Sequence, residues 1–407
     1  MYDFVTASPD SAPTVFLDYS RITFRPPLNG LGGAPQGQRY VGVRIASGQC
    51  RIVDLGEAQA IDDQCTSMIR ACSMRASARD DTSNGEVTAR HLQATRESPS
   101  GIDLDPVAGK LYDQLVAPLE PIGQQALIST DGMLAAVPFH ALVREGRWLV
   151  EDTDVAYCHS LLARASLSRR QIAPGTRILP SNVRIAMLFG DPDYKSIDLP
   201  SLPGTSREIR ALGSLLQSAQ FKEGSGSGQG KPVFDVVRIF SGAEAMASNV
   251  LIHDAANLPR VLHIAAHGVF RGATQTSVGT QPLEFGSYYR RWDGIGAAPI
   301  TEFDDGLLRS QLILSREPAT DGDPAAGAVL TALELASLNL LGCHLVVLSA
   351  CETGAGTPEY GVGVLGFQYA VRTTCARAGL VSLWKVADQE TAAFMIAFYQ
   401  QFTEHID

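Results

Sequence analysis

Residues 344–354 read H-L-V-V-L-S-A-C-E-T-G, and the reading of this run decides the fold. Residues 345–348 are unbroken apolar sequence with two valines, too short for a helix and bounded by small residues. Such a run predicts a central strand buried on both faces of a parallel sheet. It stops at Ser349-Ala350-Cys351, and Glu352, Thr353 and Gly354 open a turn. The cysteine therefore stands at the carboxyl end of a buried strand, where open α/β sheets place their ligands. A second stretch matches the first. Residues 261–268 read V-L-H-I-A-A-H-G, another short apolar strand closing on His267 and a glycine.

Around these two runs the chain alternates. Strands are predicted at 183–189, 233–240, 260–265 and 380–384, the first closed by Gly190-Asp191-Pro192. Helices are predicted at 207–216, after the stop and cap residues Pro203-Gly204-Thr205-Ser206, at 243–253, within 362–377, and at 388–402. Residues 307–314 suggest a hairpin strand, and 331–338 a short helix capped by Thr331. Residues 224–230 form a Gly/Ser tract and 269–306 a long Gly/Thr-rich insertion. This grammar implies βαβ units around a mostly parallel sheet.

The front half is less regular. Strands are expected at 15–25, 40–45 and 50–55, the last two joined by Ala46-Ser47-Gly48-Gln49 as a hairpin. Helices follow at 58–74 and 107–119, then strands at 126–129 and 155–157 and a helix at 160–169. The expected division is a loose arm over 1–13, an α/β subdomain over 14–175 and a second domain over 180–407.

Composition narrows the class. A length of 407 residues allows two or three domains, and 45% hydrophobic with 19% charged residues is a soluble globular balance. The net charge of −10, without a Lys/Arg cluster along the sequence, argues against nucleic acid or an anionic membrane as partner. No apolar run approaches a membrane span and no signal peptide is evident. Seven cysteines, scattered and odd in number, point to free thiols in a reducing compartment, hence the cytoplasm.

Chemistry converges on Cys351 and His267. A thiol attacks a carbonyl as thiolate, and a nearby imidazole or helix N-terminus lowers its pKa. His267 would take the thiol proton and return it to the leaving amine. The N–H groups of Gly268 and Cys351 would form an oxyanion hole. The plain alternative is a small buried cysteine and a satisfied core histidine.

With H-G after a strand, then V-V-L-S-A-C-E-T-G, G-V-L-G and S-L-W-K-V-A-D, the sequence resembles the CHAT domain, a caspase- and separase-related cysteine peptidase unit. Looser matches reach back through Leu202-Pro203-Gly204, Asp131-Gly132, Leu119-Glu120-Pro121 and residues 51–56. The resemblance implies a caspase-like three-layer α/β/α sandwich with a mostly parallel sheet, preceded by an α/β subdomain. It makes His267 and Cys351 the dyad of an endopeptidase that needs no metal or cofactor. It implies a specific protein substrate, in a bacterial defence or death response, with a regulatory protein or helical-repeat domain as further partner. Such domains usually follow helical repeats and continue past a point like Asp407. Ser382, Leu383 and Trp384 would pair with the substrate backbone and wall its pocket. Asp388 falls where separase-like members place an acidic pocket residue, while the favoured reading of the residue itself is a cap on the helix that starts beside it, and both can hold. Glu352 is a second acid near the pocket.

Three other signals are weak. Gly361-Val362-Gly363-Val364-Leu365-Gly366 spells a dinucleotide fingerprint, but not directly at a strand's end. His263 and His267 have zinc spacing only on a helix, and this stretch reads as strand. His140 and the Cys158-His159 pair have no visible partner and read as structural.

Overall fold

The computed structural model describes residues 14–23, 37–80, 105–158, 183–195, 199–221, 231–251, 258–270, 306–317, 328–350, 356–359, 363–383 and 388–404. They form a mixed α/β protein in two compact units. The first unit gathers residues 1–84, 89–176 and 357–365, and the second takes the remainder.

In the first unit, β1 (Val15–Thr23), β2 (Gln38–Ala46) and β3 (Gln49–Glu57) form an antiparallel meander. The β2–β3 turn places Ser47 and Gly48 at φ 48° and 77°. Both values lie in the left-handed region that two-residue hairpins need, which a Ser-Gly pair accepts. Next come α1 (Ala58–Asp80), α2 (Asp105–Leu115), β4 (Gln125–Ser129), a ribbon of β5 (Val143–Arg144) and β6 (Arg147–Trp148), and β7 (Asp154–Cys158). The sheet order is β3-β2-β1-β4-β7, with β1, β4 and β7 parallel. Tyr19, Tyr40, Ile61, Met68, Leu111 and Phe139 are buried in this unit. Tyr19 donates to the Leu115 carbonyl and Tyr40 to Asp62, so neither buried hydroxyl is left unsatisfied. His140 Nδ1 lies 3.3 Å from the Tyr157 hydroxyl, and burial holds its pKa down.

The second unit opens with β8 (Ile185–Pro192), α3 (Pro203–Ser218), β9 (Val236–Gly242), α4 (Ala247–Leu251) and β10 (Pro259–Ala265). β11 (His267–Phe270), α5 (Gly306–Arg309), β12 (Ser310–Ile313), β13 (Val329–Thr331) and α6 (Ala332–Ala336) follow. The unit closes with β14 (Leu345–Ser349), α7 (Phe367–Thr373), β17 (Gly379–Val381) and α8 (Asp388–Glu404), while the ribbon of β15 (Gly356–Glu359) and β16 (Gly363–Gly366) between them falls mostly in the first unit. Its main sheet runs β17-β14-β10-β8-β9, and every neighbouring pair is parallel. Parallel neighbours require crossovers, which is why helices separate most of these strands.

All five residues of β14 are buried, as an apolar run without alternation predicts. Alternate residues face opposite ways. Met187, Phe189, Leu262, Ile264, Val346 and Leu348 pack with residues of α4, α6 and α7. His263, on the other face, meets Glu208 of α3 and Tyr399 of α8. A smaller sheet, β11-β12-β13, is antiparallel.

Several boundaries depart from the sequence reading. β8 runs through Gly190-Asp191 to Pro192 rather than ending before them. α3 begins at Pro203, where proline's fixed φ and missing N–H cost least. Its expected cap residues are its first turn, and Thr205 accepts from the Asp191 N–H while donating to the Leu202 carbonyl. Residues 306–309 are helical before β12 begins. The helix expected within 362–377 is α7, and the strand β16 that precedes it was not expected. Thr331 does cap α6, with Glu334 completing a capping box.

Candidate functional site

β10 and β14 are adjacent, and their register pairs Ala265 with Ser349. His267 and Cys351 each follow two residues after that pair. The Ala266 N–H donates to the Ser349 carbonyl at 3.3 Å, so the pairing persists to the strand ends. Cys351, Glu352 and Trp384 lie outside the described residues, as do Gly361 and Val362.

His267 is held from three sides. It is the first residue of β11, whose first two residues the sequence reading had joined to the preceding strand and whose last two it had placed in the insertion. Its backbone N–H donates to the Tyr194 hydroxyl at 3.0 Å, and that hydroxyl donates to the Ile313 carbonyl at 3.0 Å. Tyr194 thus sits between β11 and β12 at the His267–Ile313 pair. Its ring lies 4.8 Å from the imidazole. Burial pushes the Tyr194 phenol above its usual pKa, and Asp191 and Asp388 add to the shift, so it stays a neutral donor and acceptor. The third contact is from His267 Nε2 to the Pro200 carbonyl at 2.8 Å. A carbonyl only accepts, so Nε2 carries a proton, and the tautomer assigned on that contact has its lone pair on Nδ1.

Ser382 and Leu383 follow β17, whose Val381 pairs with Leu348 of β14. The Ser382 hydroxyl donates to the carbonyl of Ala350, the residue before Cys351. Asp388 opens α8, and its Oδ2 accepts the Gly204 N–H in the first turn of α3. Pro203 has no N–H, so Gly204 offers α3's first free donor, and a carboxylate there also meets the positive end of the helix dipole. A Cβ on Gly204 would lie 2.4 Å from Asp388 Cγ, so the approach requires glycine.

His263 is no metal ligand. It is fully buried, with Nε2 2.9 Å from Glu208 Oε1 and Nδ1 3.2 Å from the Tyr399 hydroxyl. The Glu208 oxygen lies close to the ring but off the line of a good hydrogen bond. Among the described residues no group of three His, Cys, Asp or Glu could hold a metal ion. The described part of the glycine run, Gly363–Gly366, is the strand β16 paired with β15 rather than a phosphate turn after a strand of the parallel sheet.

The model of the CHAT domain family matches residues 105–406, well over half of the sequence. The chain belongs to the CHAT domain family. That family is related to the caspase-like cysteine peptidases. No curated protein matches the chain. The CHAT match begins at Asp105, so the motif at 51–56 falls outside it. In this CHAT domain, no described helix is long and apolar enough to cross a membrane.

Three members of the site escaped the sequence reading: Tyr194, the Pro200 carbonyl and Gly204. Tyr194 stands just after a buried strand in Asp191-Pro192-Asp193-Tyr194, which hinted at a strand-end position. A backbone carbonyl has no side-chain signature, and the Gly204–Asp388 contact spans 184 positions.

Proposed function

We propose that this CHAT domain is a cysteine endopeptidase on a caspase-like α/β/α sandwich, with His267 and Cys351 as its dyad. The observation that carries the reading is His267, oriented and proton-assigned at a strand end beside the strand that leads to Cys351. A nucleophile's base is oriented by a third group, and the Pro200 carbonyl takes that part.

Nδ1 of His267 withdraws the Cys351 thiol proton, and the thiolate attacks the scissile carbonyl. Successive N–H groups of a strand point to opposite sides, and that of His267 faces β12. The Gly268 N–H therefore faces away from β12, available with the Cys351 N–H to a developing oxyanion. Collapse expels the amine, which takes its proton from His267. Water then hydrolyses the thioester and regenerates the thiol.

Ser382 and Leu383 extend the β17 edge, where a substrate segment adds as a further strand, with Trp384 and Glu352 beside it. Asp388 is assigned to holding α3, its carboxylate being engaged by Gly204. The substrate is a protein presenting an extended loop.

The test is labelling with an iodoacetamide probe at neutral pH, followed by a peptide-library screen. Cys351 should react faster than Cys50 or Cys375, His267→Ala should remove the advantage, and Cys351→Ala should abolish cleavage. A Cys351 no more reactive than the other thiols would overturn the proposal.

A further inference from the structure

The five-stranded parallel sheet ends at β17 on one side and at β9 on the other, and the β9 edge is open. The Val236 N–H donates to the Arg184 carbonyl, just before β8, at 3.2 Å, so the Val236 backbone turns toward β8. Backbone direction alternates along a strand, so Arg238 and Phe240 turn inward too, while Val237, Ile239 and Ser241 turn outward. Among the described residues no strand pairs with that outer side. The Ser241 carbonyl is taken by the Glu244 N–H at 3.1 Å, which leaves the Ser241 N–H and both groups of Val237 and Ile239. Proteins usually blunt such an edge with proline, lysine or several charges. In β9, V-V-R-I-F-S-G, the one charge is Arg238, and Ile239 is 37% exposed.

The side chains indicate which strand would fit. Phe240 stacks on Phe189 of β8, with ring centroids 4.4 Å apart and planes 7° apart. That separation is close to the ordinary strand spacing of about 4.8 Å, so the ring face turned away from Phe189 looks toward the next strand position. Whatever an added strand places opposite Phe240 lands on that ring face. Arg238 lies on the same face of β9, is exposed, and makes no side-chain ion pair or hydrogen bond among the described residues.

We propose that β9 pairs antiparallel with β9 of a second copy of this chain, about a two-fold axis at Ile239. In that register Ile239 lies opposite its own copy, Val237 opposite Ser241, and Arg238 opposite Phe240. The two Ile239 residues exchange both backbone bonds, and each Ser241 N–H reaches the Val237 carbonyl across from it. Each Arg238 guanidinium covers the open Phe240 ring of the other copy, a cation–π contact that symmetry makes twice. Centring on Arg238 would oppose the two arginines, and centring on Phe240 would leave Arg238 opposite Gly242. The strand thus supplies the cation that its own exposed ring accepts. β9 is the edge farthest from β17, so the pairing leaves the proposed substrate edge open.

The experiment combines sedimentation equilibrium with disulfide trapping on the full chain. The wild type should be a reversible dimer in the micromolar range, and Arg238→Glu should weaken the dimer about tenfold. Because Arg238 is exposed, that variant should keep the wild-type melting temperature. Ile239→Cys should cross-link to itself under mild oxidation, since opposed residues with Cα atoms about 5.5 Å apart lie within disulfide reach. Val237→Cys, which faces Ser241, should cross-link no more than the wild type, whose own exposed Cys50 sets the baseline. A wild type monomeric throughout that range, unchanged association of Arg238→Glu, or Val237→Cys cross-linking as readily as Ile239→Cys would each overturn the proposal. Cys351→Ala should dimerise as the wild type does, which keeps this test apart from that of the peptidase.

Discussion

Removing the Asp388 carboxylate should loosen α3. The contact is one hydrogen bond from the Gly204 N–H to a charged acceptor at a helix N-terminus. Hydrogen bonds to charged groups contribute about 1.5–3 kcal/mol, and charge at a helix end about 0.3–1 kcal/mol, two figures that overlap for one contact. Asp388→Ala should therefore cost about 2 kcal/mol, and Asp388→Asn, which keeps an acceptor oxygen, about 1 kcal/mol. For a unit of this size a 2 kcal/mol loss lowers the melting temperature by roughly 4–8 °C. Gly204→Ala attacks the same contact from the other side, since the new Cβ would meet Asp388 Cγ at 2.4 Å. If both changes act on one contact, the double variant costs little more than either single one. Thermal melts followed by circular dichroism measure all four. A loss below about 0.5 kcal/mol for Asp388→Ala, or strict additivity with Gly204→Ala, refutes the reasoning. Loss of an Arg/Lys cleavage preference at unchanged stability would return Asp388 to the substrate pocket.

Other consequences are simpler to state. Ser382→Ala removes a donor to the Ala350 carbonyl and should slow iodoacetamide labelling of Cys351 about three- to tenfold, with only a small fall in melting temperature; unchanged labelling would show that the hydroxyl does not position the end of β14. Glu208→Leu strands His263 in the core and should cost about 3–5 kcal/mol, while adding His263→Leu should recover part of it. A cost under 1 kcal/mol for the single variant would mean the pair contributes little. Acid should weaken the fold through His344, whose pKa is held down to about 4 by burial first and then by Arg260 and Arg377. An unfolded histidine titrates near 6.5, so the unfolded chain binds the extra proton between these values. Stability is full above pH 6.5 and falls as pH drops toward 4. After discounting for partial exposure the loss is about 1–2 kcal/mol. His344→Gln, which keeps an acceptor for Arg260, should lack that part of the acid dependence in melts taken across the range.

Burial decides what could be read from sequence. β14 was legible because all five of its residues are buried, so the run is apolar without alternation. The β2–β3 hairpin was legible because Ser47-Gly48 suits left-handed φ values, and α6 because Thr331 and Glu334 have capping-box spacing. β11 was not, because four residues containing a glycine carry no usable period. β16 was hidden by a glycine-rich stretch that suits a strand as well as a helix approach. Distance hid the rest. Gly204 and Asp388 meet across 184 positions.

Tyr194 determines what the imidazole is mounted on. Only Ala266 separates His267 from β10, yet its own strand belongs to the three-stranded sheet, latched to β12 through one phenolic oxygen. Ala350, by contrast, continues a strand of the five-stranded parallel sheet. In the proposed dyad the base therefore stands on the smaller sheet while the residue preceding Cys351 continues the larger one, so a small slide of the smaller sheet is expected to disarm the pair while leaving the hydrophobic interior intact.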